Sequence, residues 1–179
     1  MNENSKWPAW LPYVVPMALF LAITAGVEGN FIANYPLIYI GKVVLVTAAL
    51  IYFRGTWKDI KFEPKLIPFA TVIGLAVFAM WVGIENNVVY PHFLGERTLY
   101  DPNKEIADTM QRYAFLGFRF FGLVLMEPLM EELFWRSFLI RYASNQDFEQ
   151  LKVGEFTWTG FAVVAALFAA AHPEWLPAL

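Results

Sequence analysis

Tyr113-Ala-Phe-Leu-Gly-Phe-Arg119-Phe-Phe-Gly-Leu-Val-Leu-Met-Glu127-Pro128-Leu-Met-Glu131-Glu132-Leu-Phe-Trp-Arg136-Ser137 sets five ionisable residues in an otherwise apolar stretch. A charged residue at the centre of a membrane helix costs about 2.5–3.5 kcal/mol, so five cost on the order of 12–17 kcal/mol. The eleven Leu, Phe and Val residues between Tyr113 and Trp135 contribute about 0.3–0.6 kcal/mol each, roughly 3–7 kcal/mol together. The charges win. This helix cannot face lipid as a simple span, so its charges pair with one another or line a wet cavity inside a bundle.

The rest of the chain supplies the bundle. Its 179 residues are 58% hydrophobic, 18% aromatic and only 16% charged, with a mean hydropathy of +0.46. Soluble domains carry about 25% charged residues. The composition argues against a soluble globular enzyme and against a disordered chain. A net charge of -3 without a basic, aromatic-interleaved cluster argues against nucleic-acid binding. The absence of Cys removes disulfides, thiolate zinc sites and a thiol nucleophile.

A spanning helix needs about 20 mostly apolar residues. Five stretches are candidates: about Trp10–Val27, Tyr35–Phe53, Leu66–Ile84, Tyr113–Tyr142, and a fifth that starts near Trp158 and is still apolar at Leu179. The expectation is an all-α, polytopic transmembrane helix bundle, one integral membrane domain over residues 1–179. The first stretch is read as an uncleaved span rather than a signal peptide, because Pro12 and Pro16 interrupt it and more spans follow. No repeat or linker divides the chain. His92, in the polar connection Glu85–Arg112, reads as a solvated loop histidine.

Lys and Arg in short loops set orientation. Residues 28–34 have none, whereas the next loop has Arg54, Lys58, Lys61 and Lys65, and the fourth stretch exits at Arg141. The pattern predicts a cytoplasmic N-terminus. Trp57, Trp81 and Trp158 fall near predicted span ends, as interface anchors do.

Spacing suggests how the charges pair. Glu132 precedes Arg136 by four, the favourable order for an intrahelical ion pair. Glu127 and Glu131 are four apart and share a face. Two close carboxylates in a poorly solvated site resist double ionisation, and a carboxylate tuned toward neutrality suits a general base. Arg119 reads as a second counter-charge. Pro128, lacking an N–H, is expected to begin a new helical segment near the acids. A purely structural ion-pair cluster is the plainer alternative.

A second patch, Leu167-Phe168-Ala-Ala-Ala-His172-Pro173, places Phe168 and His172 on one helix face and predicts a helix end at the proline. At 1.5 Å per residue, Glu131 lies roughly 15 Å before Arg141 and His172 roughly 20 Å after Thr159. The acids, the guanidinium and the imidazole can therefore converge at mid-membrane. Such a set suits water activation, metal binding or proton relay. An aspartyl pair fails, because Asp59, Asp101, Asp108 and Asp147 fall in predicted loops; H-E-x-x-H and G-x-S-x-G are absent.

Pro128-Leu-Met-Glu131-Glu132-Leu-Phe-Trp-Arg136-Ser137 resembles the E-E-x-x-x-R motif of the CPBP family, the type II CAAX prenyl endopeptidases and their bacterial, Abi-type relatives. Phe168-Ala-Ala-Ala-His172 is similar to that family's F-x-x-x-H motif. The likeness covers the chain from about 113 onward. It implies a membrane endopeptidase with Glu131 as general base, His172 holding the water, and Glu132 and Arg136 supporting the site. Both a glutamate-type and a metallo-type mechanism stay open. No cofactor is certain, and a divalent metal such as zinc is an option, although the Glu132–Arg136 pair leaves fewer ligands. The implied partners are the lipid bilayer and a peptide or protein substrate, membrane-anchored or lipidated ones included, and no nucleic acid. The implied location is a bacterial or archaeal inner membrane. Non-proteolytic partner binding, as in the family's bacteriocin-immunity members, and proton-coupled transport are the competing readings. The family also carries a third motif, a His with an Asn or similar residue four positions on. Only Pro-Glu-Trp-Leu-Pro-Ala-Leu follows His172. The expectation is a chain truncated before its C-terminal helices and nearly inactive, since losing oxyanion donors costs about 10²–10³-fold.

Overall fold

A computed structural model describes residues 7–28, 34–91 and 100–179. His92 and Arg97 lie outside the described residues. Among the described residues the chain is all helix and turn, without a strand. Five apolar helices stand where the hydrophobic runs predict them: α1 (Leu11–Ile23), α2 (Tyr35–Tyr52), α3 (Ile67–Asn87), α4 (Thr109–Ser144) and α5 (Trp158–Ala170). With the turn Pro64–Leu66 added to α3, three are long and apolar enough to cross a membrane: Tyr35–Tyr52, Pro64–Asn87 and Thr109–Ser144. The segments Leu11–Gly26 and Trp158–Ala170 are apolar but shorter.

Local chemistry fixes the helix starts. Pro12, Pro36 and Pro68 occupy first-turn positions of α1, α2 and α3, where a missing N–H costs nothing and the fixed φ suits a helix. Asp108 caps α4, accepting the Gln111 N–H at 2.8 Å. Thr157 caps α5 through the Gly160 N–H at 3.1 Å.

The helices divide between two compact units, each interleaving early and late segments. One comprises Met1–Asp59 and Thr98–Phe138, the other Ile60–Arg97 and Leu139–Leu179. In the first, α1 packs on α2, and α2 packs on the first half of α4. The buried residues of α2 are Tyr35, Tyr39, Lys42, Val43, Val46 and Leu50, one stripe at three- and four-residue spacing. The stripe meets Phe115 and Gly122 on the buried face of α4, a face that continues through Met126, Met130 and Leu133. The rings of Tyr35, Tyr39, Tyr100 and Phe115 form one cluster, with Tyr35 stacked on Tyr100 at 4.6 Å. The Tyr13 hydroxyl donates to Asp59 at 2.8 Å and its ring stacks on Phe138.

In the second unit, residues 140–144 of α4 pack against α5. A Cβ on Gly160 would run into the Ile140 carbonyl oxygen and meet Ser144 Oγ at 2.8 Å, so the helices touch backbone to backbone there. Ser144 and Thr157 hydrogen-bond across the same contact. Helix α3 buries none of its residues and is apolar around its circumference, as a lipid-facing helix is. Its C-terminal end meets the last helical turn, Trp175–Ala178. There Trp175 donates its indole N–H to the Pro91 carbonyl at 2.8 Å. The Tyr90 hydroxyl donates to the Glu85 carboxylate. Burial, then that carboxylate, push the Tyr90 phenol up to about 12.

Three details emerge. Pro128 sits in the first turn of the α-helical segment Glu127–Glu131, as expected, but α4 does not break there: a wider π turn over Gly122–Met126 precedes it, where the Glu127 N–H reaches back five residues to the Gly122 carbonyl. Trp81 lies before the end of α3 at Asn87, and its ring meets His172. Arg141 lies in the last turn of α4. It is buried, donates to the Leu151 carbonyl at 3.1 Å and stands over the Phe148 ring.

Candidate active site

The acidic motif occupies one α-helical turn, Glu127–Glu131, between π-helical stretches over Gly122–Met126 and Glu132–Leu139. Such widened turns recur at functional sites because they re-aim side chains without ending the helix. Glu131 and Glu132 are adjacent, so they leave the helix in different directions. Glu132 Oε2 lies 3.1 Å from Arg136 Nη1, the ion pair the spacing predicts. Glu131 is half-buried, one turn after Glu127 on its face. The two neighbouring acids are thus in different settings, one paired with a guanidinium and one a helical turn after Glu127.

Sequence reasoning missed what faces Glu127. The Tyr39 hydroxyl, 88 residues away in sequence, donates to Glu127 Oε1 at 3.4 Å. Gly122 makes room for it: a Cβ there would stand 2.7 Å from the Tyr39 hydroxyl. Behind Tyr39 lies Lys42, a buried ammonium inside a spanning helix. It donates to Thr24 Oγ1 at 3.1 Å and stands over the rings of Phe20 and Tyr39 at 4.5 and 4.7 Å. A lysine in an apolar run was the available signal, since intramembrane charges are functional by default. Arg119, expected as a second counter-charge for the acids, sends its guanidinium to the Tyr100 carbonyl at 3.5 Å.

His172 belongs to the other unit and sits where the sequence predicts a helix end. Helix α5 stops at Ala170, and Pro173 follows the imidazole. The Phe168 carbonyl, which also accepts the Ala171 N–H at 3.1 Å, lies 2.7 Å from His172 Nδ1. A carbonyl only accepts, so Nδ1 carries the proton and Nε2 keeps its lone pair. The Phe168 ring lies 4.3 Å from the imidazole, and Trp81 approaches it edge-on at 5.9 Å.

Residues 113–179 match the family model described as Rce1-like, type II CAAX prenyl endopeptidase. The match takes in most of α4 and all that follows, 67 of the 179 residues, and over that stretch the chain is similar to the Rce1-like family. No curated protein and no solved structure matches the chain. Glu131, Glu132, Arg136 and His172 all lie inside the Rce1-like segment. Tyr39, Lys42 and Trp81, which contact its polar residues or hold their partners, lie before it.

Among the described residues no three His, Asp or Glu side chains come together as a metal site. Glu132, one of the few candidates, is held by Arg136. Each unit offers acid–base groups of its own: Glu131 next to the Glu132–Arg136 ion pair in one, the His172 imidazole in the other.

Proposed function

We propose that the protein is an integral membrane endopeptidase in which Glu131 activates water for attack on a peptide bond. Glu131 takes a proton from water as the water oxygen bonds to the carbonyl carbon. The C–N bond then breaks, and the proton passes to the departing amine. His172 Nε2 accepts a hydrogen bond from the same water and fixes its position. Arg136 neutralises Glu132, so that a single carboxylate of the adjacent pair faces the reaction.

The observation that carries this reading is the separate setting of the two adjacent acids, with Glu132 bound to Arg136 at 3.1 Å. The fixed tautomer of His172 supports it. From the resemblance of the two motifs to a paired family set we take Glu131 and His172 to act together, in a centre reached from the cytoplasmic side, with the N-terminus cytoplasmic as well. The substrate is a peptide or protein chain, with a membrane-anchored or lipidated tail as the first class to examine.

The test compares new protein termini in native host cells carrying the full-length protein or Glu131→Ala. Cleaved termini that vanish with Glu131→Ala support the reading. An identical set of termini contradicts it, and full biological effect without cleavage then favours partner binding.

A further inference from the structure

The proposed hydrolysis leaves one acid of the motif helix unused. Glu127 lies one α-helical turn before Glu131, close enough for two carboxyl groups to turn toward each other and share a proton. A base engaged in that way no longer takes a proton from water. Something must therefore hold Glu127 aside.

Tyr39 is placed to do so. Its hydroxyl donates to Glu127 Oε1 at 3.4 Å, with the Arg119 carbonyl oxygen as alternative acceptor at 3.5 Å. The ring is fixed on three sides. Phe115 meets it edge-on at 5.9 Å. Lys42 Nζ stands 4.7 Å from its centroid. Gly122 has no side chain to push it away. Packing alone would be met by phenylalanine, since Phe115 and Lys42 face the ring rather than the hydroxyl's proton. The hydroxyl is the part left for Glu127.

We propose that Tyr39 is a positioning residue for the acidic face of α4: its hydroxyl turns the Glu127 carboxyl toward α2 and away from Glu131. The proposal rests on the reading of Glu131 as the general base. It adds a residue from outside the Rce1-like segment to the machinery of that segment.

Tyr39→Phe, Glu127→Gln and the double variant are compared in the full-length protein in native host membranes, with Glu131→Ala as reference. The abundance of Glu131-dependent termini is expected to fall about tenfold in Tyr39→Phe at equal protein level, the scale of one hydrogen bond to a charged group. In the Glu127→Gln background Tyr39→Phe is expected to add nothing, because the two residues act as one unit. Equal losses in both backgrounds would overturn the proposal. Infrared spectra of the purified protein in lipid nanodiscs give a readout that mere packing would not move. The carboxyl band lost in Glu127→Gln should shift in Tyr39→Phe, and an unshifted band would also overturn it. If Glu131→Ala removes no termini, the reading of the base fails, whereas the infrared band still decides whether Tyr39 holds Glu127.

Discussion

His172 Nδ1 lies 2.7 Å from the carbonyl oxygen of Phe168, four residues earlier in α5. The helix stops before Pro173, and the carbonyl, which also accepts the Ala171 N–H at 3.1 Å, accepts from the imidazole. The helix end thus sets which face of the imidazole can meet a substrate water.

The tautomer is directly measurable. The chain has two histidines, so His92→Gln leaves His172 as the single imidazole for ¹⁵N-histidine labelling. At neutral pH the Nδ1 signal should be of the protonated type and Nε2 of the unprotonated type. The reverse assignment would remove Nε2 as the acceptor for water.

The approach of α2 to α4 depends on Gly122. A Cβ would stand 2.7 Å from the Tyr39 hydroxyl and 3.0 Å from Val43 Cγ2. Gly122→Ala should destabilise the protein by about 1–2 kcal/mol, an overpacking cost partly offset by the better helix propensity of alanine. Adding Tyr39→Phe removes the atom in the way. Thermal unfolding in detergent should therefore show the double variant less destabilised than the sum of the singles, with a coupling of about 0.5 kcal/mol or more. Simple additivity would mean that the helices do not meet as described.

Gly160 makes a harder contact. The atoms its Cβ would meet include a backbone carbonyl, Ile140 O, besides Thr157 Oγ1 at 2.7 Å and Ser144 Oγ at 2.8 Å. A backbone atom cannot rotate aside, so the α4–α5 hairpin has to open. Gly160→Ala should cost about 2–3 kcal/mol, read in the same melting assay, and unlike Gly122→Ala no change at Ser144 should rescue it fully. A neutral Gly160→Ala would contradict the close packing.

Tyr90, outside the spans, gives a pH signature. Its phenol is raised from 10.0 to about 12 by burial first and by Glu85 next, with Glu174 adding to the effect. A raised value favours the neutral phenol in the folded protein. Its contribution to stability is complete below pH 10 and is lost as pH rises through about 12. In a tyrosinate absorbance titration, Tyr90→Phe should remove one late-titrating phenol. Loss of a phenol titrating near 10 instead would refute the Tyr90–Glu85 contact.

Most of the fold is legible in the sequence because membrane spans are a matter of run length, and all five apolar runs are helices. The Glu132–Arg136 pair is legible because four-residue spacing is a local rule, and the end of α5 is legible because Pro173 enforces it. Tyr39 is not, since a tyrosine in Tyr35-Pro-Leu-Ile-Tyr39-Ile reads as bulk apolar surface and its partner is 88 residues away. The π turn before Glu127 is hidden for a different reason. The sequence shows a missing N–H at Pro128 but not whether the helix breaks or widens. Trp81 shows a third limit: with the span ended at Ile84 it reads as an anchor, and three more helical residues leave it beside His172.

The central claim is that the Glu131 and His172 motifs form one hydrolytic centre. The protein contains no cysteine, so paired substitutions can be cross-linked in native membranes without further change. Ser144→Cys with Thr157→Cys serves as the positive control, because those side chains touch at the base of the hairpin. The most direct measurement is the cross-linking yield of Glu131→Cys with His172→Cys under a short bifunctional thiol reagent. A yield comparable to the control is the predicted result. Efficient linking of the control with none between positions 131 and 172 would contradict the account.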